Sequence, residues 1–151
     1  MKTVYNISRR VARQNGRAIE NSVWISISEP GDDSTIASNQ YLDKLPKLKV
    51  SFYDTDNPNM IDAPNAKIAK QIVEFLLKHT DKDVIINCAM GIARSGAISQ
   101  FCQDFLNYEW DRTSKNQAIP NRYLYRLMAN YYYETYYGKE DESKSSTIII
   151  L

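Results

Sequence analysis

A cysteine and an arginine six residues apart, Cys88 and Arg94, have the clearest potential for chemistry in this chain. They lie in the stretch VIINCAMGIARSG, which predicts a buried strand from Val84 to Ile86, a short loop, and a helix that opens at Ser95. Loop amides and the first N–H groups of a helix converge on one point, to which the helix dipole adds about half a positive charge. The stretch therefore predicts a site for a phosphate-like anion.

The same loop holds a potential nucleophile. Positive potential from the amides, the dipole and Arg94 favours a thiolate over a thiol, so Cys88 is expected to ionise easily. The planar guanidinium of Arg94 can bind two anion oxygens at once. The backbone of the intervening residues would complete the anion site, and these are Ala89, Met90, Gly91, Ile92 and Ala93.

The sequence CAMGIARS resembles the HCxxGxxR[ST] signature of the cysteine-dependent protein tyrosine phosphatases, especially the small dual-specificity-type members of bacteria and phages. The resemblance covers about Val23 to Tyr131 and includes the glycine and the serine of the signature. Asn87 stands where the family usually has histidine, and a neutral side chain cannot supply a positive charge. Cys88 is therefore expected to be more acidic than a free thiol, yet less acidic than in relatives with the histidine.

The resemblance implies a phosphomonoester hydrolase of the protein tyrosine or dual-specificity phosphatase type that needs neither metal nor cofactor. Cys88 would attack phosphorus to form a phosphocysteine, while Arg94 and the loop amides hold the equatorial oxygens. Asp54 would protonate the leaving group and then serve as the base for water. Ser95 would donate a hydrogen bond to the departing thiolate, although the alternative for Ser95 is a helix cap.

The choice of acid follows from the strand before it. Leu48, Val50 and Phe52 alternate with polar residues and predict a half-buried strand that ends at the motif FYDTDNP. Asp54 is favoured because it lies directly at the strand end, where ligands of parallel sheets bind. Asp56 is the alternative acid, and either aspartate could instead serve turn formation.

The expected substrate is a phosphorylated protein or peptide, with phosphate or sulfate as simpler anions for the loop. An RNA 5′-phosphate is the alternative substrate within the same superfamily. Phosphoinositides are disfavoured because the loop adds no lysine for extra phosphates. A phospho-binding module without turnover is the second rival, motivated by Asn87, while the retained Cys88 and Arg94 argue against it.

The elements that position these residues alternate between strands and helices, which predicts a single α/β domain. We expect a central, mostly parallel sheet of four or five strands flanked by helices, with the phosphate-binding loop between a central strand and a helix N-terminus. The pattern predicts strands at Val4 to Ile7 and Val23 to Ser28, a Ser8-capped helix ending near Gly16, a helix started by Asp62 and Pro64, a polar connection from Asn107 to Ala118, and a last helix from Pro120 to Gly138.

The composition bounds the remaining possibilities. The 151 residues suit one domain, predicted over residues 1–138, followed by a hydrophilic linker and an apolar tail over residues 139–151. The 19 basic and 18 acidic residues give no general preference for nucleic acid or membrane. Two cysteines with different roles, no signal segment and no membrane span favour a reducing cytoplasm. The single histidine, His79, is expected at a helix end, and the arginines at 9, 10, 13 and 17 on a solvated basic face.

Overall fold

The computed structural model describes residues 2–137, and within them a five-stranded parallel sheet forms the centre of the molecule. The strands lie in the order β3-β2-β4-β1-β5, and every pairing between neighbours is parallel. Their bounds are β1 Thr3–Ser8, β2 Ser22–Ser28, β3 Lys47–Ser51, β4 Asp83–Cys88 and β5 Glu109–Trp110. The predicted fold class is confirmed.

Helices cover both faces of this sheet. Their bounds are α1 Arg9–Arg13, α2 Ala66–Lys78, α3 Arg94–Phe105, α4 Arg112–Gln117 and α5 Arg122–Tyr132, the last continued by a π-helical turn at Tyr133–Tyr137. Helices α2, α3 and α5 pack with one face of the sheet into the main core. A smaller core on the other face joins α1 to Trp24, Ile85 and the loop residues Ala37 and Leu42. Between β2 and β3, two 3₁₀ turns occupy Asp33–Thr35 and Leu42–Lys44.

Strand β4 is the central strand because its residues are apolar toward both cores. Val84 and Ile86 face the main core and Ile85 the smaller one. β4 pairs with β1 on one side and β2 on the other, and ends at Cys88. The cysteine is thereby fixed at the carboxyl edge of the sheet, where ligands of open parallel sheets bind.

Two predicted helix starts were wrong by a few residues. Helix α2 begins after Asn65, whose side chain accepts a hydrogen bond from the Ile68 N–H, and not at Asp62 or Pro64. Asp62 has a left-handed φ of 56° and its carbonyl accepts the N–H of Tyr53. It therefore closes a loop. Helix α5 likewise begins after an asparagine cap, Asn121.

The prediction of a plain connection from Asn107 to Ala118 was also wrong. This stretch contains β5, which pairs with β1, and then α4. The indole N–H of Trp110 donates to the buried Asn6 side chain at 2.6 Å, which holds the short strand at the sheet edge. Asp111 then caps α4 by accepting from the Ser114 N–H.

The basic cluster is not a uniformly solvated face. The Arg9 side chain is 15% exposed and paired with Glu29, while the Arg13 guanidinium donates to the carbonyls of Ser34 and Ile36. Helix α1 ends at Arg13, before the predicted Gly16. His79 lies at the end of α2 as predicted, with its ring against Phe75. Gly138 and the predicted linker and tail lie outside the described residues.

Within residues 2–137, no helix combines the length and apolar character needed to cross a bilayer.

Candidate active site

The loop that joins β4 to α3, residues 88–94, is called the phosphate loop here. Its carbonyl groups are turned outward and accept hydrogen bonds from the surrounding chain. The donors are the N–H of Arg9 to Ala89, the Asn6 amide to Gly91, the N–H of Ile119 to Ile92, and the N–H of Asn121 to Ala93. By contrast, the N–H groups of Met90, Gly91 and Ala93 donate to no acceptor within residues 2–137. A row of free N–H groups on one side of a loop is an anion-binding arrangement.

Gly91 is required by the shape of this loop. Its φ is 71°, in the left-handed region, and a Cβ placed on it would lie 2.6 Å from the carbonyl carbon of Ile7. Because that neighbour is backbone in β1, it cannot move aside as a side chain would. The glycine of the signature therefore lets the loop lie directly against β1.

Cys88 is 2% exposed, and its sulfur lies 3.2 Å from the Ser95 hydroxyl oxygen. Burial raises the pKa of the Cys88 thiol, but several contacts outweigh it. The hydroxyl and N–H of Ser95, the N–H of Ile92 and the positive charge of Arg94 together bring the pKa of Cys88 below its usual value. The thiolate, the nucleophilic form, is thus favoured by its surroundings.

Arg94 is 5% exposed and held from one side. Its Nη1 donates to the Phe52 carbonyl at 2.8 Å and pairs with Glu29 Oε1 at 2.7 Å. The other oxygen of Glu29 pairs with Arg9 Nη2 at 2.6 Å, so one carboxylate joins two guanidiniums. Nε and Nη2 of Arg94 donate no hydrogen bond to any described residue. They remain for a bound anion.

The two candidate acids lie on the segment after β3, residues 53–62, which we call the acid loop. Asp54 Oδ1 accepts from Asn121 Nδ2 at 2.8 Å, and the same nitrogen donates to the Thr55 carbonyl. The backbone N–H of Asn121 in turn donates to Ala93 of the phosphate loop. One asparagine therefore links Asp54 to the anion site, whereas the exposed Asp56 side chain makes no hydrogen bond within the described residues.

Asn87 lies on the opposite side of β4 from Cys88, as alternation along a strand requires. Its side chain is fully buried and Oδ1 accepts from the Trp24 indole N–H at 2.9 Å. Nδ2 has no hydrogen-bond partner among the described residues. Asn87 therefore stabilises the smaller core through Trp24. The contacts that lower the pKa of Cys88 come from other residues.

The structure brings together Cys88, Arg94, Ser95 and the loop residues between them, and it connects Asp54 to them through Asn121. Three residues of this arrangement were not predicted from the sequence, and these are Asn6, Glu29 and Asn121. A Pro-Asn pair before an amphipathic helix does signal a cap at Asn121. Nothing local in the sequence indicates that the same side chain also holds Asp54, or that Asn6 and Glu29 reach the phosphate loop.

No protein-family model matches the chain, and no curated protein does either. Solved structures similar to it include the human tyrosine phosphatase-like serine/threonine/tyrosine-interacting protein, with 16% identity, a TM-score of 0.48, and coverage of 74% of this chain and 76% of that one. Tk-PTP in the active form has 13% identity, a TM-score of 0.49, and coverage of 86% and 90%. PTPMT1 in complex with PI(5)P has 13% identity, a TM-score of 0.47, and coverage of 85% and 91%.

Similarity at this distance transfers no activity or substrate, so the function must be argued from the site itself. The chain resembles the cysteine-dependent protein tyrosine phosphatases in the signature of its phosphate loop.

Proposed function

We propose that this protein is a cysteine-dependent phosphomonoester hydrolase that acts on phosphorylated protein or peptide through a phosphocysteine intermediate. The observation that carries the proposal is the position of Cys88. A buried thiol of lowered pKa lies at the start of a loop whose free N–H groups and Arg94 favour an anion. A purely structural cysteine needs none of these groups.

In the first step, the Cys88 sulfur attacks phosphorus and the bond from phosphorus to the ester oxygen breaks. Arg94 and the loop N–H groups bind the three non-bridging oxygens, and their charge stabilises the transition state. Asp54 transfers its proton to the departing oxygen, so the product leaves as an alcohol or phenol.

In the second step, water attacks the phosphocysteine and Asp54 takes one of its protons. The phosphorus–sulfur bond breaks, inorganic phosphate forms, and Cys88 leaves as a thiolate. The Ser95 hydroxyl lies 3.2 Å from the sulfur and can donate a hydrogen bond to that thiolate. Asp54 is assigned as the acid in preference to Asp56 because Asn121 connects it to the phosphate loop.

The test compares the two cysteines. Cys88→Ser is expected to abolish hydrolysis of para-nitrophenyl phosphate, because a serine hydroxyl does not ionise as the thiol does. Cys102 is a matched control, since it is fully buried in α3 and burial raises its pKa. We expect Cys102→Ser to keep its turnover. Mass spectrometry of acid-quenched Asp54→Asn enzyme is expected to find the phosphate on Cys88.

Two outcomes would contradict the proposal. One is turnover that survives in Cys88→Ser, and the other is a folded wild-type protein that binds phosphate but hydrolyses no phosphomonoester. The second outcome would support the phospho-binding module instead.

A further inference from the structure

A cavity of about 630 Å³ lies outside the phosphate loop, between α3 and α5. We call it the α3/α5 groove. Gln100 of α3 lines one side, and Arg122, Tyr125, Arg126 and Asn130 of α5 line the other, with Ile119 at one end. None of these side chains takes part in the chemistry described above.

One end of the groove adjoins the phosphate loop. The N–H of Ile119 donates to Ile92 at 3.1 Å, and the N–H of Asn121 donates to Ala93 at 3.0 Å. Two backbone hydrogen bonds therefore connect the end of the groove to the phosphate loop. Asn121 also holds Asp54, and it directly precedes Arg122 of the groove.

The groove carries unpaired positive charge. Arg122 and Arg126 are exposed, lie one helical turn apart, and form no ion pair or hydrogen bond with any residue in the range 2–137. Among residues 2–137 no carboxylate lines the groove, and the Tyr125 hydroxyl donates to Asp104 at 2.6 Å. Both arginines are in the first half of α5, where the helix dipole adds positive potential in the first turn.

Apolar surface accompanies this charge. Ile119 is 74% exposed and directly precedes Pro120, which also lines the groove. These two side chains give a bound peptide apolar contact area beside the arginines. Tyr125 supplies the only aromatic ring that the described part of the chain places in the lining, and its hydroxyl already donates to Asp104. A row of rings that could stack nucleobases is therefore not formed by residues 2–137.

We propose that the α3/α5 groove binds an acidic segment of the peptide substrate, next to the phosphorylated residue, through Arg122 and Arg126. The proposal rests on the proposed function, and it specifies the substrate class. An extended peptide advances about 3.3 to 3.6 Å per residue. The two arginines are separated by about 6 Å along the helix axis. Two acidic side chains about two residues apart in an extended segment therefore match the spacing of the two arginines.

The experiment measures kcat/KM for five substrates. Three are para-nitrophenyl phosphate, a phosphopeptide with glutamates two to four residues from the phosphorylated residue, and the same peptide with glutamines there. The fourth is this peptide with lysines at those positions, and the fifth is a 5′-phosphorylated RNA. The double variant Arg122→Glu/Arg126→Glu is compared with Arg17→Glu/Arg112→Glu. The control changes net charge by the same amount at two exposed positions outside the groove.

The groove variant is expected to lose about five- to tenfold in kcat/KM for the acidic peptide, in proportion to two exposed ion pairs. Its values for para-nitrophenyl phosphate and the glutamine peptide should stay within about twofold of wild type. The loss should shrink at high salt, because exposed charges are screened. For a lysine-flanked peptide, kcat/KM should rise in the groove variant and stay unchanged in the control variant.

Equal wild-type kcat/KM for the acidic and glutamine peptides would overturn the inference, as would an equal loss in the control variant. A charge effect seen only with 5′-phosphorylated RNA would also overturn it. If the wild type hydrolyses no phosphomonoester, the proposed function fails separately. The groove is then tested by fluorescence anisotropy of the two peptides on Cys88→Ser, where equal affinities would refute it.

Discussion

The phosphate loop and the acid loop lie side by side, yet the structure holds them in different ways. Residues 88–94 are anchored at four carbonyls by β1, α1 and the segment before α5. In the acid loop, Asp54, Asp56 and the residues from 57 to 62 are exposed. Its ends are joined by one backbone hydrogen bond from Tyr53 to Asp62, and its proposed acid, Asp54, is held by Asn121. The anion site is therefore preorganised, whereas the acid depends on few contacts.

This difference fits the two proposed tasks, anion binding and proton transfer. An anion clamp works best when its donors are fixed before the substrate arrives, because no free energy is then spent on ordering them. A proton donor must admit substrates with different leaving groups, and loops with few buried contacts open at low free-energy cost. The charges agree with this division. Glu29 compensates one of the two guanidiniums it contacts, so the phosphate loop keeps a positive charge for the anion.

The largest effect is expected from breaking the clamp with Arg94→Lys. An ammonium is a point charge and cannot replace the planar fork that contacts both Glu29 and an anion. We expect kcat/KM for para-nitrophenyl phosphate to fall about a hundredfold to a thousandfold. Arg10→Lys, at an exposed position of α1, is the control and should behave as wild type. Near-normal activity of a folded Arg94→Lys protein would remove the assigned role.

The acid loop is tested by Asp54→Asn. Loss of the acid should lower kcat about a hundredfold for alkyl phosphates, whose leaving groups need a proton. Nitrophenyl substrates, with good leaving groups, should be affected only a few-fold. The same measurements on Asp56→Asn provide the comparison. A leaving-group dependence that appears only in Asp56→Asn would reverse the assignment of the acid.

The phosphate loop could be predicted from the sequence because its determinants are local. An apolar run, a cysteine, a glycine, an arginine and a serine at fixed spacing specify strand, loop and helix within residues 84–96. The structure confirms these elements and adds the steric reason for Gly91, its contact with β1.

The support around the loop could not be predicted, because it comes from distant positions. Asn121 and Asp54 are 67 residues apart, and Asn6 and Gly91 are 85 apart. No periodicity encodes such pairs. Strand β5 has two residues, too few for an alternating pattern, and α4 is mainly polar. Residues 107–118, which contain both elements, therefore have the sequence character of a loop.

A substitution of Asn121 can weaken the link between the phosphate loop and the acid loop without changing a residue of either loop. Asn121→Ala removes the hydrogen bond to Asp54 and the cap of α5. We expect kcat for alkyl phosphates to fall about tenfold, with little change for nitrophenyl substrates, as befits a residue that positions the acid. Loss of a cap also costs about 1 kcal/mol of stability.

Asn65→Ala is the matched control for this variant. Asn65 caps α2 in the same way, through the Ile68 N–H, and makes no contact with Asp54. Both variants should therefore lower the melting temperature to a similar extent. If both also alter leaving-group dependence equally, the effect of Asn121 is structural and its positioning role is wrong.

The smallest effect is expected at Asn87, where the chain departs from the signature. The Asn87 side chain accepts from Trp24 on the opposite side of β4, so a histidine there would act on Cys88 only by its charge. The pKa of Cys88 is already lowered by Ser95, Ile92 and Arg94. We expect Asn87→His to lower it only slightly further.

Inactivation by iodoacetamide measures this change directly. Only the thiolate reacts, so the rate rises with pH through the pKa of Cys88 and reaches its plateau at lower pH when that pKa is lower. Asn87→Gln, which can also accept from the Trp24 indole but carries no charge, should give the wild-type profile. An unchanged or higher pKa in a folded Asn87→His protein would mean that the missing histidine has no effect on the thiol. The acidity of Cys88 would then be set entirely by the phosphate loop and its own contacts.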